Sequence, residues 1–134
     1  MRSRNRPLPV VIPNPDRIRS ISRGPFGWLD ARLHTKGWIE LLSGEALSVY
    51  TFLCLVANRQ GVSWYRDETI RTVLGLTGER YREAERRLMD LDLIAYLPFY
   101  QGSPDGYRQV LSMPEGEASW EAFAQGPDDK GEDE

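Results

Sequence analysis

Two short helical segments joined by three residues, within positions 67 to 91, constrain the fold of this chain more than any other feature. Asp67 is placed to cap the first helix, whose apolar residues are expected to face inward: Ile70, Val73 and Leu74. Gly75 stands where a helix ends in the left-handed conformation, and Leu76 follows it as an apolar anchor. Thr77 then caps a second helix. Two helices joined by so short a turn are typical of a helix-turn-helix.

The second helix has one apolar face and is followed by two predicted strands. Its apolar residues recur at helical spacing, which places them on one side: Tyr81, Ala84, Leu88 and Leu91. The strands are predicted over residues 94–100 and 107–113, and the loop between them is rich in turn-forming residues. Pro98 restricts the first strand to the edge of a sheet.

A longer apolar helix precedes this unit. Ser43 is expected to cap it, and it runs to about Asn58 with an apolar stripe of Ala46, Val49, Tyr50, Leu53, Val56 and Ala57. A short helix is predicted around residues 29–35, and residues 62–65 are predicted as a short strand. The tryptophans beside these elements are expected in the core: Trp28, Trp38 and Trp64.

The scarcity of cysteine and histidine excludes several kinds of site. The chain has one cysteine, Cys54, and one histidine, His34, so an internal disulfide, a His/Cys metal site and a Ser-His-Asp triad are excluded. Cys54 is interpreted as a small core residue. The longest apolar run, residues 46–57, is too short for a membrane span, and no secretory signal or phosphate-binding loop is present. We therefore expect a cytoplasmic protein that is not an enzyme and uses no metal or cofactor.

Charge divides the chain into three parts. Residues 1–23 carry six arginines against one aspartate, a net charge of +5, and four prolines favour a disordered, extended arm. Residues 24–114 have a net charge of −1 and form the predicted domain. Residues 115–134 have a net charge of −7 and are expected to be an acidic, disordered tail. Within the tail, Trp120 and Phe123 are spaced to form one helical turn against a partner or against the domain. Each charged segment either has a function of its own or only keeps the protein solvated, and the sequence leaves both interpretations open.

Two sequence runs resemble winged helix-turn-helix DNA-binding domains: TIRTVLGLT at 69–77 and RRLMDLDLIAY at 86–96. The run LSGEALSVY at 42–50 is similar to the first helix of such domains in plasmid and primosomal replication initiators and in small proteins of mobile elements. The resemblance implies an α+β, mostly α fold, with a three-helix core and a small antiparallel β-wing. Two residues depart from the family pattern, because Asp92 stands where glycine is usual and Glu85 where an apolar residue is more common.

The resemblance places the helix after Thr77 in the major groove of double-stranded DNA. Arginine binds guanine through two hydrogen bonds and also grips phosphate, so the arginines of this helix are candidate contacts. Arg80 and Arg82, in its first turns, are expected to contact bases. The other candidate DNA-binding residues are Thr77, Gly78, Arg86 and Arg87 on the helix, Arg66 and Arg71 beside the preceding helix, and Ser103 and Arg108 in the wing.

The sequence therefore predicts a DNA-binding protein that regulates transcription or assists replication of a plasmid or mobile element. It leaves the oligomeric state open, with a homodimer as one option. The basic arm favours this interpretation, because arginines of such an arm can lie along phosphates or in a minor groove. The alternative is a winged helix that binds another protein, with Trp120 and Phe123 in the contact. The helix also carries glutamates that repel phosphate and that pair with its arginines, as a solvated helix face would.

Overall fold

A computed structural model describes residues 9–21 and 24–118 of this chain. Within those residues the elements, in chain order, are α1 (Arg32–Thr35), α2 (Gly44–Val56), β1 (Val62–Ser63), α3 (Asp67–Leu74), α4 (Gly78–Asp90), β2 (Ile94–Pro98) and β3 (Gly106–Val110). Two 3-10 turns, Pro15–Arg17 and Trp38–Leu41, lie before α2. The fold is mixed α+β and mostly helical, and its element order is compatible with a winged helix.

The turn between α3 and α4 has the predicted geometry. Gly75 has a φ of +69°, in the left-handed region, and the Leu76 N–H donates a hydrogen bond to the Arg71 carbonyl at 3.0 Å. These contacts close the end of α3 as a Schellman motif. Thr77 caps α4, and its Oγ1 accepts from the Arg80 N–H at 3.2 Å. The short connection therefore follows from local residues, as the sequence indicates.

The beginning of α3 differs from the prediction. Arg66, not Asp67, is the N-cap residue, and no side chain within α3 caps the helix. Instead, the Asp67 N–H donates to Oδ1 of Asp105, 2.9 Å away in the loop between β2 and β3. Ser103 fixes that loop, because its Oγ donates to the Asp105 carbonyl at 2.7 Å and accepts from the Asp105 N–H at 3.1 Å. The hairpin loop thus caps α3 and ties the hairpin to the helix pair.

The core lies between α2, α4 and the sheet. All four residues of the predicted stripe on α4 are buried: Tyr81, Ala84, Leu88 and Leu91. They pack in one cluster with Leu53 of α2 and Ile70 of α3. Ser43 caps α2 as predicted, with its Oγ accepting from the Ala46 N–H at 3.1 Å. Cys54 is buried as predicted, and burial raises the pKa of its thiol to about 11, which disfavours the reactive thiolate.

Three apolar residues predicted to be buried are exposed instead. Trp38 belongs to the core, but Trp28 is 71% exposed and Trp64 is 57% exposed. At Gly27 the backbone lies so close to α2 that a Cβ would come within 2.6 Å of the Cys54 carbonyl oxygen, and the Trp28 side chain next to it remains outside the core. Val73 is also exposed, at 60%, although it lies only three residues after the fully buried Ile70 on α3.

The three strands form an antiparallel sheet in the order β1-β3-β2. Both hairpin strands are shorter than predicted, and β2 is an edge strand, as Pro98 requires. In the register of the sheet, Tyr96 lies opposite Arg108 and Leu97 lies opposite Tyr107. Because successive side chains of a strand point to opposite faces, Arg108 is directed to the core and Tyr107 to the outer face.

Asp92 has an unusual backbone conformation for a residue with a side chain. It lies in the turn between α4 and β2 and has a φ of +65°, where glycine is favoured. Aspartate adopts this conformation more readily than most residues with a side chain. Asp92 therefore adopts the left-handed backbone conformation that glycine adopts most easily.

The N-terminal end of the described chain lies outside the core, whereas at the C-terminal end Met113 is buried in the core and Ala118 packs against it. Residues 9–21 are exposed and contain the 3-10 turn Pro15–Arg17.

None of the helices in the described residues is long and apolar enough to cross a membrane. The predicted helical turn at Trp120 and Phe123 lies outside the described residues. The same holds for residues 1–8 and 22–23 of the basic arm and for residues 119–134 of the acidic tail.

Replacing Leu88 by alanine tests this packing. Leu88 is fully buried between α4 and α2, so we expect Leu88→Ala to lower the free energy of unfolding by about 2–5 kcal/mol. The measurement is urea unfolding followed by circular dichroism. Val73→Ala, which removes an exposed apolar side chain from α3, is the control and is expected to change stability by less than about 0.5 kcal/mol. Equal destabilisation of both variants would contradict the assigned core.

Candidate nucleic-acid interface

The side of α4 that faces away from the core carries a row of charged residues: Glu79, Arg80, Arg82, Glu83 and Arg86. Among the described residues, no hydrogen bond or ion pair engages the Arg82 or Arg86 guanidinium. The Arg82 guanidinium lies over the first turn of the helix, where a Cβ on Gly78 would be 3.1 Å from its Nη1. Gly78 thus leaves room for Arg82 beside the N-terminus of α4.

Arg80 is exposed but has a partner. Its Nη1 lies 3.7 Å from Oε2 of Glu45 in the first turn of α2, and its side chain is 69% exposed. An ion pair this exposed is worth about 0–1 kcal/mol, so a stronger anion can replace Glu45 at little cost. Arg82 and Arg86, four residues apart, share one accessible side of α4, whereas Arg80 lies on the flank nearer α2. We call these three exposed arginines together the arginine face.

Arg87 is placed differently from its neighbours. Its side chain is half-buried, and Nη1 donates a hydrogen bond to the Leu41 carbonyl at 2.8 Å. This contact joins α4 to the end of the 3-10 turn Trp38–Leu41. Arg87 thus has a structural contact in addition to any contact with a ligand.

The two arginines beside α3 both lie close to carboxylates. Arg71 pairs with Asp67 one turn earlier, with 2.5 Å between Nε and Oδ1, and this hydrogen bond raises the pKa of the arginine. Arg66 is exposed, and its guanidinium lies 3.9 Å from Glu68 and 3.9 Å from Asp105. The positive charge near α3 is therefore largely balanced, in contrast to that on the arginine face.

The structure removes Arg108 from the candidate surface. Its side chain is 3% exposed, Nε donates to Oε2 of Glu85, and Nη1 donates to the Tyr65 carbonyl at 3.3 Å. The guanidinium also lies over the ring of Tyr96, 4.8 Å from its centroid. The prediction that Arg108 contacts DNA from the wing is wrong, because its charge is enclosed and neutralised inside the domain.

The same contact explains Glu85, the acidic residue at an expected apolar position. Glu85 is buried on the core side of α4 and pairs with Arg108 of β3. It also accepts a hydrogen bond from the Tyr81 hydroxyl at 3.3 Å. Burial, and then the neighbouring Glu85 carboxylate, raise the pKa of Tyr81. An acid within the apolar stripe of α4 was the sequence signal that a basic partner lies inside the fold.

The hairpin of β2 and β3 presents aromatic rings rather than cations. Ser103 is half-buried in the hairpin loop and is engaged with Asp105. Around it Phe99, Tyr100 and Tyr107 are exposed, and the rings of Phe99 and Tyr107 meet edge to face with centroids 4.9 Å apart. Sequence reasoning assigned these residues to strands and missed that their side chains remain in solvent. The loop of this hairpin, residues 99–105, therefore carries no basic side chain for a phosphate contact.

The basic arm is partly described. Arg17 and Arg19 are exposed, and Arg19 borders an open groove of about 760 Å³ against α2. The groove is otherwise mainly apolar, with Phe26, Trp28 and Leu55 in its walls. Within residues 9–21 and 24–118, no three acidic, histidine or cysteine side chains are grouped so as to hold a metal ion.

The buried pair can be tested by a double-mutant cycle. Glu85→Ala or Arg108→Ala alone leaves a buried charge without its partner, so each is expected to cost about 3–5 kcal/mol of unfolding free energy. Replacing both by Leu and Met is expected to recover much of that stability. The matched control is the exposed pair, Glu45→Ala with Arg80→Ala, whose coupling is expected below about 1 kcal/mol. Additive effects at positions 85 and 108 in urea unfolding would contradict the pairing.

Comparison of the chain with protein-family models, with curated proteins and with solved structures gives no match.

Proposed function

We propose that this chain binds double-stranded DNA through a winged helix-turn-helix domain, with α4 as the recognition helix. The observation that carries the proposal is the arrangement of α4. One side is buried against α2, and the other exposes Arg80, Arg82 and Arg86 directly after a short turn from α3. A helix presented in this way fits the docking geometry of helix-turn-helix proteins.

The size of α4 suits the major groove. Thirteen residues give a helix of about 20 Å, and the groove is about 12 Å wide. Recognition helices contact bases mainly from their N-terminal residues, so Arg80 and Arg82 are placed to contact guanine. Arg86 lies further along the helix and is placed for phosphate. The backbone N–H of Gly78, in the first turn, is a further phosphate donor beside the Thr77 cap.

The arginine face alone provides limited affinity. Glu79 and Glu83 lie on the same exposed side and repel phosphate, and the folded domain is close to neutral. Phosphate contacts supply most of the affinity that does not depend on sequence. We therefore assign most of that contribution to the basic arm, residues 1–23, and an opposing contribution to the acidic tail, residues 115–134.

The biological role proposed with this activity is regulation of transcription or assistance to replication of a plasmid or mobile element. The alternative is a winged helix that binds another protein. Selection of binding sites from random DNA separates the two. An enriched sequence supports DNA recognition, whereas no enrichment by the full chain, or by a chain that ends at Pro114, favours the protein-binding alternative.

Replacing Arg82 by alanine tests the recognition helix. If Arg82 contacts a base, Arg82→Ala is expected to cost about 1–3 kcal/mol of binding free energy and to relax the preference at one position of the selected site. Thermal stability is expected to be unchanged, because no described residue pairs with Arg82. Arg59→Ala removes the same charge from an exposed turn before β1 and is the control. Equal effects of the two changes on specific binding would reject α4 as the recognition helix.

Deleting residues 1–23 tests the arm. We expect the deletion to weaken binding to all DNA sequences alike and to reduce the slope of log K against log salt by about 0.9 for each phosphate that the arm neutralises. The comparison is the deletion of residues 115–134, which removes a charge of −7 and is expected to strengthen binding. An unchanged salt slope without the arm would show that the arm only solvates the protein.

A further inference from the structure

The outer face of the sheet, opposite the core, carries no charged residue. In the three strands, the side chains that point away from the core are those of Val62, Ala95, Leu97, Tyr107 and Gln109. Trp64, directly after β1, and Phe99, directly after β2, continue this face. The register places Leu97 beside Tyr107, and Gln109 between Val62 and Ala95. Tyr65 turns the other way, with its ring against Phe52 of α2, as alternation from Trp64 requires.

This face has the composition of a buried surface. Trp64, Leu97, Phe99 and Tyr107 are all exposed, although each is large and apolar. An antiparallel sheet with one solvated face normally alternates apolar residues inside with polar residues outside. Here the pattern is reversed at one position, because the charged Arg108 is inside and its apolar neighbour Tyr107 is outside. A contiguous apolar patch of this kind is typical of an interaction site.

Charge excludes nucleic acid as the occupant of the outer face. Phosphate requires cations, and the only basic residue in the three strands is Arg108, which is enclosed on the core side. The occupant must therefore be an apolar protein surface. A second copy of the same face is such a surface, since two sheets pack face to face through their apolar sides at a spacing of about 10 Å.

The available area also fits a pair of copies. A fully buried aromatic side chain covers about 150–250 Å², so the four exposed apolar residues and their neighbours offer on the order of 500 Å² per copy. A standard interface buries about 800 Å² per partner. The central apolar part of a dimer interface is thus present on this face, and the surrounding loops would supply the rim.

We infer that this chain forms a two-fold symmetric homodimer in which the outer sheet faces of two copies stack on each other. The inference does not rest on DNA binding. α4 contacts the opposite, core-facing side of the sheet through Glu85 and Arg108, so the dimer leaves the arginine face uncovered. If α4 also binds DNA, two-fold symmetry predicts an inverted repeat as the recognised site.

Sedimentation equilibrium of the full chain, over roughly 1 to 100 µM, tests the dimer. The wild-type chain is expected at twice its mass of 15.4 kDa at the upper concentrations. Leu97→Glu places a carboxylate on each outer face, beside Tyr107 of the central strand, and is expected to raise the dissociation constant about tenfold or more. Leu55→Glu is the matched control, because Leu55 of α2 is 59% exposed and Leu97 is 63% exposed. The control is expected to dimerise like the wild type.

Two measurements keep the test decisive. Circular dichroism and thermal melting show whether Leu97→Glu remains folded, and Trp64→Ser provides a second change on the same face without adding charge. Weakened association in both folded variants supports the stacked dimer. A wild-type chain that stays monomeric at the highest concentration overturns it. A dimer disrupted by Leu55→Glu but not by Leu97→Glu also overturns it and would assign the contact to the groove beside α2.

Discussion

The ion pair between Glu85 and Arg108 joins α4 to the central strand of the sheet at a point where both side chains are buried. A buried charge without a partner costs several kcal/mol, so the domain cannot place one of these residues without the other. The Tyr65 carbonyl and the ring of Tyr96 occupy the remaining sides of the guanidinium. The pair adds one directional polar contact to the apolar packing of Tyr81, Ala84 and Leu88. The direction in which the arginine face points therefore follows from that packing together with a polar contact in the core.

This contact also changes the charge of the surface that the protein presents. Glu85 and Arg108 are both withdrawn from solvent, and Arg87 donates to the Leu41 carbonyl. The exposed side of α4 is left with Arg80, Arg82 and Arg86 against two glutamates. A small excess of positive charge on a rigid helix suits discrimination between base sequences more than strong general attraction to DNA. In the proposed function, the helix supplies specificity and the arm supplies affinity.

The features that could be predicted from the sequence depend on residues within a few positions of each other. Gly75 and Thr77 define the turn, and the spacing of apolar residues defines the buried side of α4. The errors concern partners far apart in the chain. The cap of α3 comes from Asp105, 38 residues away, and Arg108 was placed in solvent because nothing local identifies Glu85 as its partner. The exposure of Trp28 and Trp64 likewise depends on how the backbone lies against α2 and β3, which composition does not reveal.

The two proposed surfaces depend on the same strand register. Along β3, alternation sends Arg108 into the core and leaves Tyr107 and Gln109 on the outer face. A slip of one residue would exchange these faces, since the side-chain period of a strand is two residues. Arg108 would then add charge to the outer face, and Glu85 would remain buried without a partner. The buried pair therefore selects the register that keeps the outer face uncharged and holds α4 in place.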